Sequence, residues 1–234
     1  MNRINHLFFD LDRTLWDFET NSKNALQKIY DKHHLNTHFE HFLHFQKTYQ
    51  NINNELWKKY GKSKISKDEL RYIRFEKTLA KVNLFDKDFA NKLNHDYISI
   101  APKEKKLFPN TLEIIKELSS RYQLHIITNG FSEAQLVKLE HSGLKPFFKV
   151  VICSEMVGKT KPNREIFEYA LNVANAKKTE SIMIGDDHQT DIMGAIQIGM
   201  QAILFDPTNR YKKSAGLYKI SNLDELPLLL TMIK

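Results

Sequence analysis

Hydrophobic and polar positions follow two rhythms along this chain. Short apolar runs that stop at a polar residue or turn read as buried strands: Leu7 to Phe9, His125 to Ile127, Val150 to Ile152, Ser181 to Ile184 and Ala202 to Phe205. Between positions 17 and 106 the rhythm is helical instead. Ala25, Leu26, Ile29 and Tyr30 recur at helix spacing, as do Phe39, Phe42, Leu43 and Phe45, and Phe89, Leu93 and Tyr97 mark a further helix before Pro102. Ser66 and Glu69 form a capping box that starts a helix through Leu70, Ile73 and Leu79, and Gly61 ends the helix carrying Leu56 and Trp57. Beyond position 106, strands alternate with helices. Asn110 is expected to cap a helix running towards Arg121, and Ser132 with Gln135 a second capping box for a helix that stops near Gly143. Pro162 and Asn163 open a helix through Ile166, Phe167, Ala170 and Leu171. Others are expected around Ile192 to Ile198 and from Leu223 to Ile233. The alternation predicts an α/β fold: a doubly wound, Rossmann-like parallel sheet core, residues 1–16 and 107–234, with an inserted helical cap at 17–106.

The strand ends carry the chemistry. Asp10 and Asp12 close the first apolar run, two residues apart, with Thr14 just beyond. Carboxylates at the end of a core strand need a compensating charge, and a metal ion is the simplest one. The second run ends in Thr128-Asn129-Gly130, the third is followed by Lys161-Pro162, and the fourth ends in Gly185-Asp186-Asp187, with Asp191 shortly after. Four such ends converge on one point only if their strands are parallel neighbours, and open α/β sheets place ligands at the carboxyl ends of their strands. The free N–H groups of the helix after Gly130 would face that side, a natural place for phosphate oxygens.

In order, D-x-D-x-T, T-N-G, K-P and G-D-D-x-x-x-D resemble the four motifs of the haloacid dehalogenase (HAD) superfamily in its phosphatase branch. The passage Ile127 to Phe131, with Leu139-Glu140, Ser142-Gly143-Leu144, Phe148, Val157-Gly158 and Lys161-Pro162-Asn163, is similar to the pyrimidine 5′-nucleotidases of that superfamily. The resemblance implies a phosphomonoester hydrolase in which Asp10 attacks phosphorus to give an aspartyl phosphate. Asp12 then protonates the leaving oxygen and later deprotonates water. It implies Mg²⁺ on oxygen ligands from Asp10, the Asp12 backbone carbonyl and Asp186. Thr128, Asn129, Gly130 and Lys161 are the expected phosphate-binding residues, Thr128 and Lys161 with catalytic roles as well. Asp191 is expected to orient metal-bound water or Lys161. Asp187 stands where many relatives have serine and ranks as a further ligand or supporting group, and Thr14 is expected to brace the loop by hydrogen bonding.

Composition adds limits. Hydrophobic residues at 41% and charged residues at 27% are ordinary for a globular protein. No apolar run is long enough to cross a bilayer, and with a charged, motif-bearing strand so near the start no signal peptide is expected. One cysteine, Cys153, excludes an internal disulfide and suits a reducing cytoplasm. The net charge of +7 is concentrated in the cap, where 18 Lys/Arg face 12 Asp/Glu, against 17 and 16 elsewhere. A basic module favours an anionic small molecule, a phosphate ester such as a nucleoside monophosphate, over a nucleic-acid polymer, for which no motif is present. His33, His34, His38, His41 and His44 cluster in the cap, but without a neighbouring cysteine or acidic cluster they read as solvated or packed side chains. The competing functions are a phosphosugar or phosphoglycolate phosphatase, a phosphosugar mutase, a haloacid dehalogenase, and a non-catalytic nucleotide-binding protein. Asp12 argues against the dehalogenase, which needs no acid for its leaving group, and a binder has no chemical use for Asp10 and Asp12 together.

Overall fold

In the computed structural model, which describes residues 3–212 and 216–233, the chain parts into two units, Met1–Phe18 with Lys105–Lys234, and Glu19–Glu104. The elements in order are β1 His6–Phe9, α1 Phe18–Lys32, α2 Phe42–Gly61, α3 Lys67–Ala80, α4 Lys87–Ile100, α5 Thr111–Ser119, β2 Gln123–Thr128, α6 Ser132–His141, β3 Phe148–Cys153, α7 Ser154–Val157, α8 Arg164–Val173, β4 Ser181–Gly185, α9 Met193–Gln197, β5 Gln201–Phe205, β6 Tyr218–Ile220 and α10 Leu226–Met232.

The first unit is built on a six-stranded sheet of order β3-β2-β1-β4-β5-β6, with every pairing parallel. The expected doubly wound sheet is therefore borne out. Strand order reverses between β1 and β4, which opens the crevice in which such sheets bind ligands, and Asp10 and Asp186 stand at its rim. Both faces of the sheet are covered, and the alternation of side chains sorts them. Leu7, Phe9, Leu124 and Ile126 pack on one face with Leu118 and Leu139 from α5 and α6. Phe8, Ile127, Met183 and Leu204 pack on the other with Ile166, Phe167 and Ala195 from α8 and α9. Full burial of Leu7, Phe8 and Phe9 stabilises the fold by about 1.5–3 kcal/mol per side chain. The strand carrying the acidic pair is thus anchored on both sides.

Histidines occupy the second face at the opposite end of the same strands. His6 Nδ1 and His125 Nε2 lie 3.1 Å apart, and the His125 ring stacks on both His6 and Phe8. Burial, then the neighbouring His6, pushes the His125 pKa down from 6.5 to about 4. The unfolded chain binds that proton more readily than the fold does. The pair's contribution to stability is therefore complete above pH 6.5 and lost as pH falls towards 4. A ring-proton NMR titration of the native protein is expected to place His125 near 4; a midpoint at or above 6 would contradict this packing.

The second unit is helical. Its core joins Ala25, Leu26, Ile29 and Tyr30 of α1 to Phe45 and Tyr49 of α2, Phe75 and Leu79 of α3, and Ala90, Leu93 and Tyr97 of α4. The Ser66–Glu69 capping box is present in both directions, at 3.1 and 2.7 Å, a cap that contributes about 1 kcal/mol. Two of the cap histidines have structural partners. His41 caps α2 by accepting from the His44 N–H at 3.0 Å, and His33 pairs with Asp96 at 2.6 Å. Among the described residues no group able to hold a metal includes these side chains.

Several expectations are corrected. Asn110 is not a side-chain cap: it takes a left-handed conformation (φ 58°) and its amide donates to both carboxylate oxygens of Asp224. Ser132 is the first residue of α6 rather than its cap, which is Phe131, and its N–H is held by Glu155 at 2.7 Å. β6 was not anticipated because Tyr218-Lys219-Ile220 is short and only Ile220 is buried. The segment from Asp187 to Ile198 opens with a π-helical turn, His188–Ile192, before α9. Among the described residues no helix is long and apolar enough to cross a membrane.

Candidate active site

Asp10 is carried by the residue immediately after β1, and its N–H bonds the Ile184 carbonyl of β4 at 2.9 Å, which fixes the carboxylate over the crevice. Lys161 approaches from the loop before α8. Its Nζ lies 2.5 Å from Asp10 Oδ1 and 2.7 Å from Asp191 Oδ1, and donates to the Ile127 carbonyl at 2.7 Å. Asn129 holds the Lys161 peptide from both sides, accepting from its N–H at 2.7 Å and donating to its carbonyl at 3.1 Å. The Asn129 side chain is thereby committed to placing Lys161. Asp191 in turn accepts from the Asp187 N–H at 3.1 Å and packs on Gly185, where an added Cβ would meet its carboxylate at 2.2 Å. Only glycine fits there.

Carboxylate oxygens of Asp10, Asp186 and Asp191 lie within 4.8 Å of one another, and all three residues are buried. Cations among the described residues act on them: Lys161, the half-exposed Arg210, whose guanidinium is 3.1 Å from Asp186 Oδ2, and Arg13, whose charge also reaches Asp186. Burial, resisted by Lys161, pushes the Asp10 pKa up to about 7. Burial and then the Asp10 charge push Asp186 up to about 6, and burial raises Asp191 as well. Burial alone would lower Lys161, but Asp10 and Asp191 outweigh it and hold it above its ordinary value. Burial holds these carboxylates above their ordinary range despite the cations, and an all-oxygen donor set of this kind suits a hard divalent cation. It can hold a metal.

Asp12 stands apart from that cluster. Lys138 Nζ lies 2.6 and 2.8 Å from its two carboxylate oxygens, and Gln135 Nε2 donates to Oδ2 at 3.0 Å. Gln135 Oε1 accepts from the Thr128 hydroxyl at 3.2 Å, and that hydroxyl accepts from the Gly130 N–H at 3.0 Å. The structure thus gathers Asp10, Lys161, Asp186 and Asp191 in one group, and Asp12, Thr128 and Gly130 in a second. Asp187 joins neither: it is exposed and caps the turn after β4, accepting from the N–H groups of Gln189 and Thr190. Thr14 is fully buried, and among the described residues its hydroxyl has no hydrogen-bond partner. The loop is braced instead by backbone bonds, Trp16 N–H to the Leu11 carbonyl and Arg13 N–H to the Trp16 carbonyl, both 2.9 Å.

Three functional candidates escaped the sequence reading: Gln135, Lys138 and Arg210. In the sequence Gln135 reads as half of a capping box. The available signal was that Gln135 and Lys138, three apart, share the inward face of α6 with Leu139, where apolar residues belong. Arg210 lies in an irregular loop and carries no such signal.

The profile of the haloacid dehalogenase-like hydrolase family matches residues 7–205, and the chain belongs to that family. It is an enzyme of a hydrolase family, as the ordered motifs implied. Among its relatives are two proteins named pyrimidine 5′-nucleotidase. YjjG of Escherichia coli K12 is 32% identical over 96% of each chain, and PynA of Streptococcus pneumoniae is 30% identical over 86% of this chain and 83% of that one. A glyceraldehyde 3-phosphate phosphatase of Pyrococcus furiosus is 31% identical over 100% of this chain and 95% of its own. A crystal structure of the putative HAD-hydrolase YfnB from Bacillus subtilis, bound to magnesium, is similar with a TM-score of 0.86. It is 27% identical, and the match covers 98% of this chain and 100% of that one.

Proposed function

We propose that the protein is a Mg²⁺-dependent phosphomonoester hydrolase that works through an aspartyl phosphate on Asp10, with pyrimidine nucleoside 5′-monophosphates as substrates. The observation that carries the reading is the Asp10 carboxylate, buried against Lys161 at the end of β1, with a second carboxylate, Asp12, held apart from it two residues on. Asp10 supplies the attacking oxygen. Lys161 steadies that oxygen and offers positive charge to the transferring group. The stretch from Thr128 to Gly130 is the side on which phosphoryl oxygens would sit, although here the Thr128 hydroxyl donates to Gln135 and the Gly130 N–H to Thr128, so either would have to turn to reach them, and Asn129 acts by setting the Lys161 backbone. Asp12 gives a proton to the leaving oxygen and takes one from the attacking water. Asp10 and Asp186, with the Asp12 backbone carbonyl, would hold Mg²⁺, whose charge lets a carboxylate approach a phosphate dianion. The buried, free Cys153 thiol agrees with a cytoplasmic setting.

The substrate class rests on the likeness to YjjG and PynA and on the stretch from Ile127 to Ala170. We assign choice of the leaving group to the helical unit as its cap. Phe75 is fully buried in that unit's core and Trp16 is buried in the sheet unit, so neither offers a face for a base. Tyr72 is exposed, and Trp57 and Tyr60 form a half-buried edge-to-face pair. A stacked base would contribute about 1–3 kcal/mol. The test compares kcat/KM for uridine, thymidine, adenosine and guanosine 5′-monophosphates with a triose phosphate, a phosphosugar and phosphoglycolate, with and without chelator. Pyrimidine nucleotides are expected to lead, activity to vanish on chelation, and Ca²⁺ to restore little of it. A tenfold lead for a sugar or triose phosphate would remove the nucleotidase assignment and leave the chemistry standing. Full phosphate release after chelation would remove the metal from the mechanism.

A further inference from the structure

Asp12 sits in a socket that the proposed chemistry does not by itself require. Lys138 is 6% exposed and Gln135 1% exposed, both on the inward face of α6, where a buried ammonium is costly unless paired. The pairing of Lys138 is specific: both Asp12 oxygens lie within 2.8 Å, and the ammonium stands 4.4 Å over the Trp16 ring. Gln135 is fixed at both ends. A carboxylate only accepts, so the amide nitrogen must face Asp12 and the amide oxygen Thr128. Gly130 completes the socket, because an added Cβ there would meet Gln135 Nε2 at 2.2 Å.

We infer that Lys138 and Gln135 are positioning residues that hold the Asp12 carboxylate in one orientation and leave Oδ1 as its proton-transfer atom. This rests on the reading of Asp12 as the general acid and base. A carboxylate has about four lone-pair sites. Lys138 and Gln135 together occupy both sites on Oδ2, whereas Oδ1 receives Lys138 alone among the described residues. The remaining lone pair is on Oδ1. Proton transfer to a leaving oxygen needs a donor at a fixed place within hydrogen-bond reach, so loosening the socket costs rate only where that proton is needed.

The test uses leaving groups. An alkyl phosphate departs as a poor alkoxide and requires the proton; 4-nitrophenyl phosphate departs as a stable phenolate and does not. kcat/KM reports steps up to the first irreversible one, so it isolates the acid role. Lys138→Met, which keeps the aliphatic stem, is expected to lose roughly 10–100-fold on the alkyl ester that the enzyme hydrolyses fastest and less than about threefold on the aryl ester, a part of the full general-acid contribution. Gln135→Leu should show the same asymmetry, and it carries the comparison if Lys138→Met does not fold. Added to Asp12→Asn, Lys138→Met should cost nothing further. Equal losses on both esters, or none, would overturn the inference while Asp12→Asn still discriminates between them. If Asp12→Asn itself fails to discriminate, the acid–base reading has failed instead.

Discussion

Asp10→Asn is expected to give a folded protein with no measurable turnover. The amide keeps the shape of the carboxylate and its oxygen can still accept from Lys161 Nζ, now 2.5 Å from Oδ1. An amide oxygen is no nucleophile, so the covalent step is lost and only the binding groups remain. Stability should move the other way. Burial disfavours the Asp10 charge more than Lys161 supports it, and in the variant Lys161 keeps Asp191 as its partner, so a neutral amide removes a buried charge without stranding the lysine. The metal-free variant should therefore melt no lower than the parent. Thermal unfolding and a phosphate-release assay on the same preparation check both halves. Retained turnover would remove Asp10 from the mechanism, and a large drop in Tm would mean that its negative charge supports the fold.

Lys161→Met is expected to do more damage overall. Lys161 is 3% exposed, and its ammonium is shared between Asp10, Asp191 and the Ile127 carbonyl. Methionine fills much of the volume but leaves two buried carboxylates and a carbonyl without their donor. Breaking a buried ion pair on one side costs about 3–5 kcal/mol, most of it the penalty on the charge left behind. The same change removes the fixed positive charge beside the attacking oxygen, for which a loss of roughly 10²–10³-fold in kcat is expected. Urea unfolding and steady-state kinetics measure the two effects separately. A loss below about 1 kcal/mol would mean that the cluster relaxes without its lysine, in conflict with this packing.

What could be read from the sequence was the part that is local in the chain. Leu7-Phe8-Phe9 is apolar at every position because both faces of β1 are covered, and that alone places Asp10 and Asp12 at a strand end. The same logic located Thr128, Lys161 and Asp186, whose strands then proved to be neighbours. The parts that were missed are contacts between distant segments whose residues have an ordinary local use. Ser132 and Gln135 satisfy the spacing of a capping box, yet Gln135 turns inward to Asp12, 123 positions away, and Glu155 takes over at the helix end. The resemblance makes Asp187 a further ligand or supporting group, but its carboxylate accepts from the N–H groups of Gln189 and Thr190 in its own turn. His6 and His125 looked unremarkable in strands that otherwise read as apolar. Only the parallel register of β1 and β2 brings them onto one face, where His6 Nδ1 meets His125 Nε2 at 3.1 Å.

The most direct test of the central claim is to trap the covalent intermediate. The protein would be mixed with excess nucleoside monophosphate and Mg²⁺, quenched in acid during turnover, reduced with borohydride and mapped by mass spectrometry. An acyl phosphate on Asp10 would be converted to homoserine at position 10, in the wild-type protein and not in Asp10→Asn. Homoserine at position 10 that depends on substrate is the predicted result. Turnover under the same conditions with position 10 unmodified, or with the modification on another carboxylate, would contradict it.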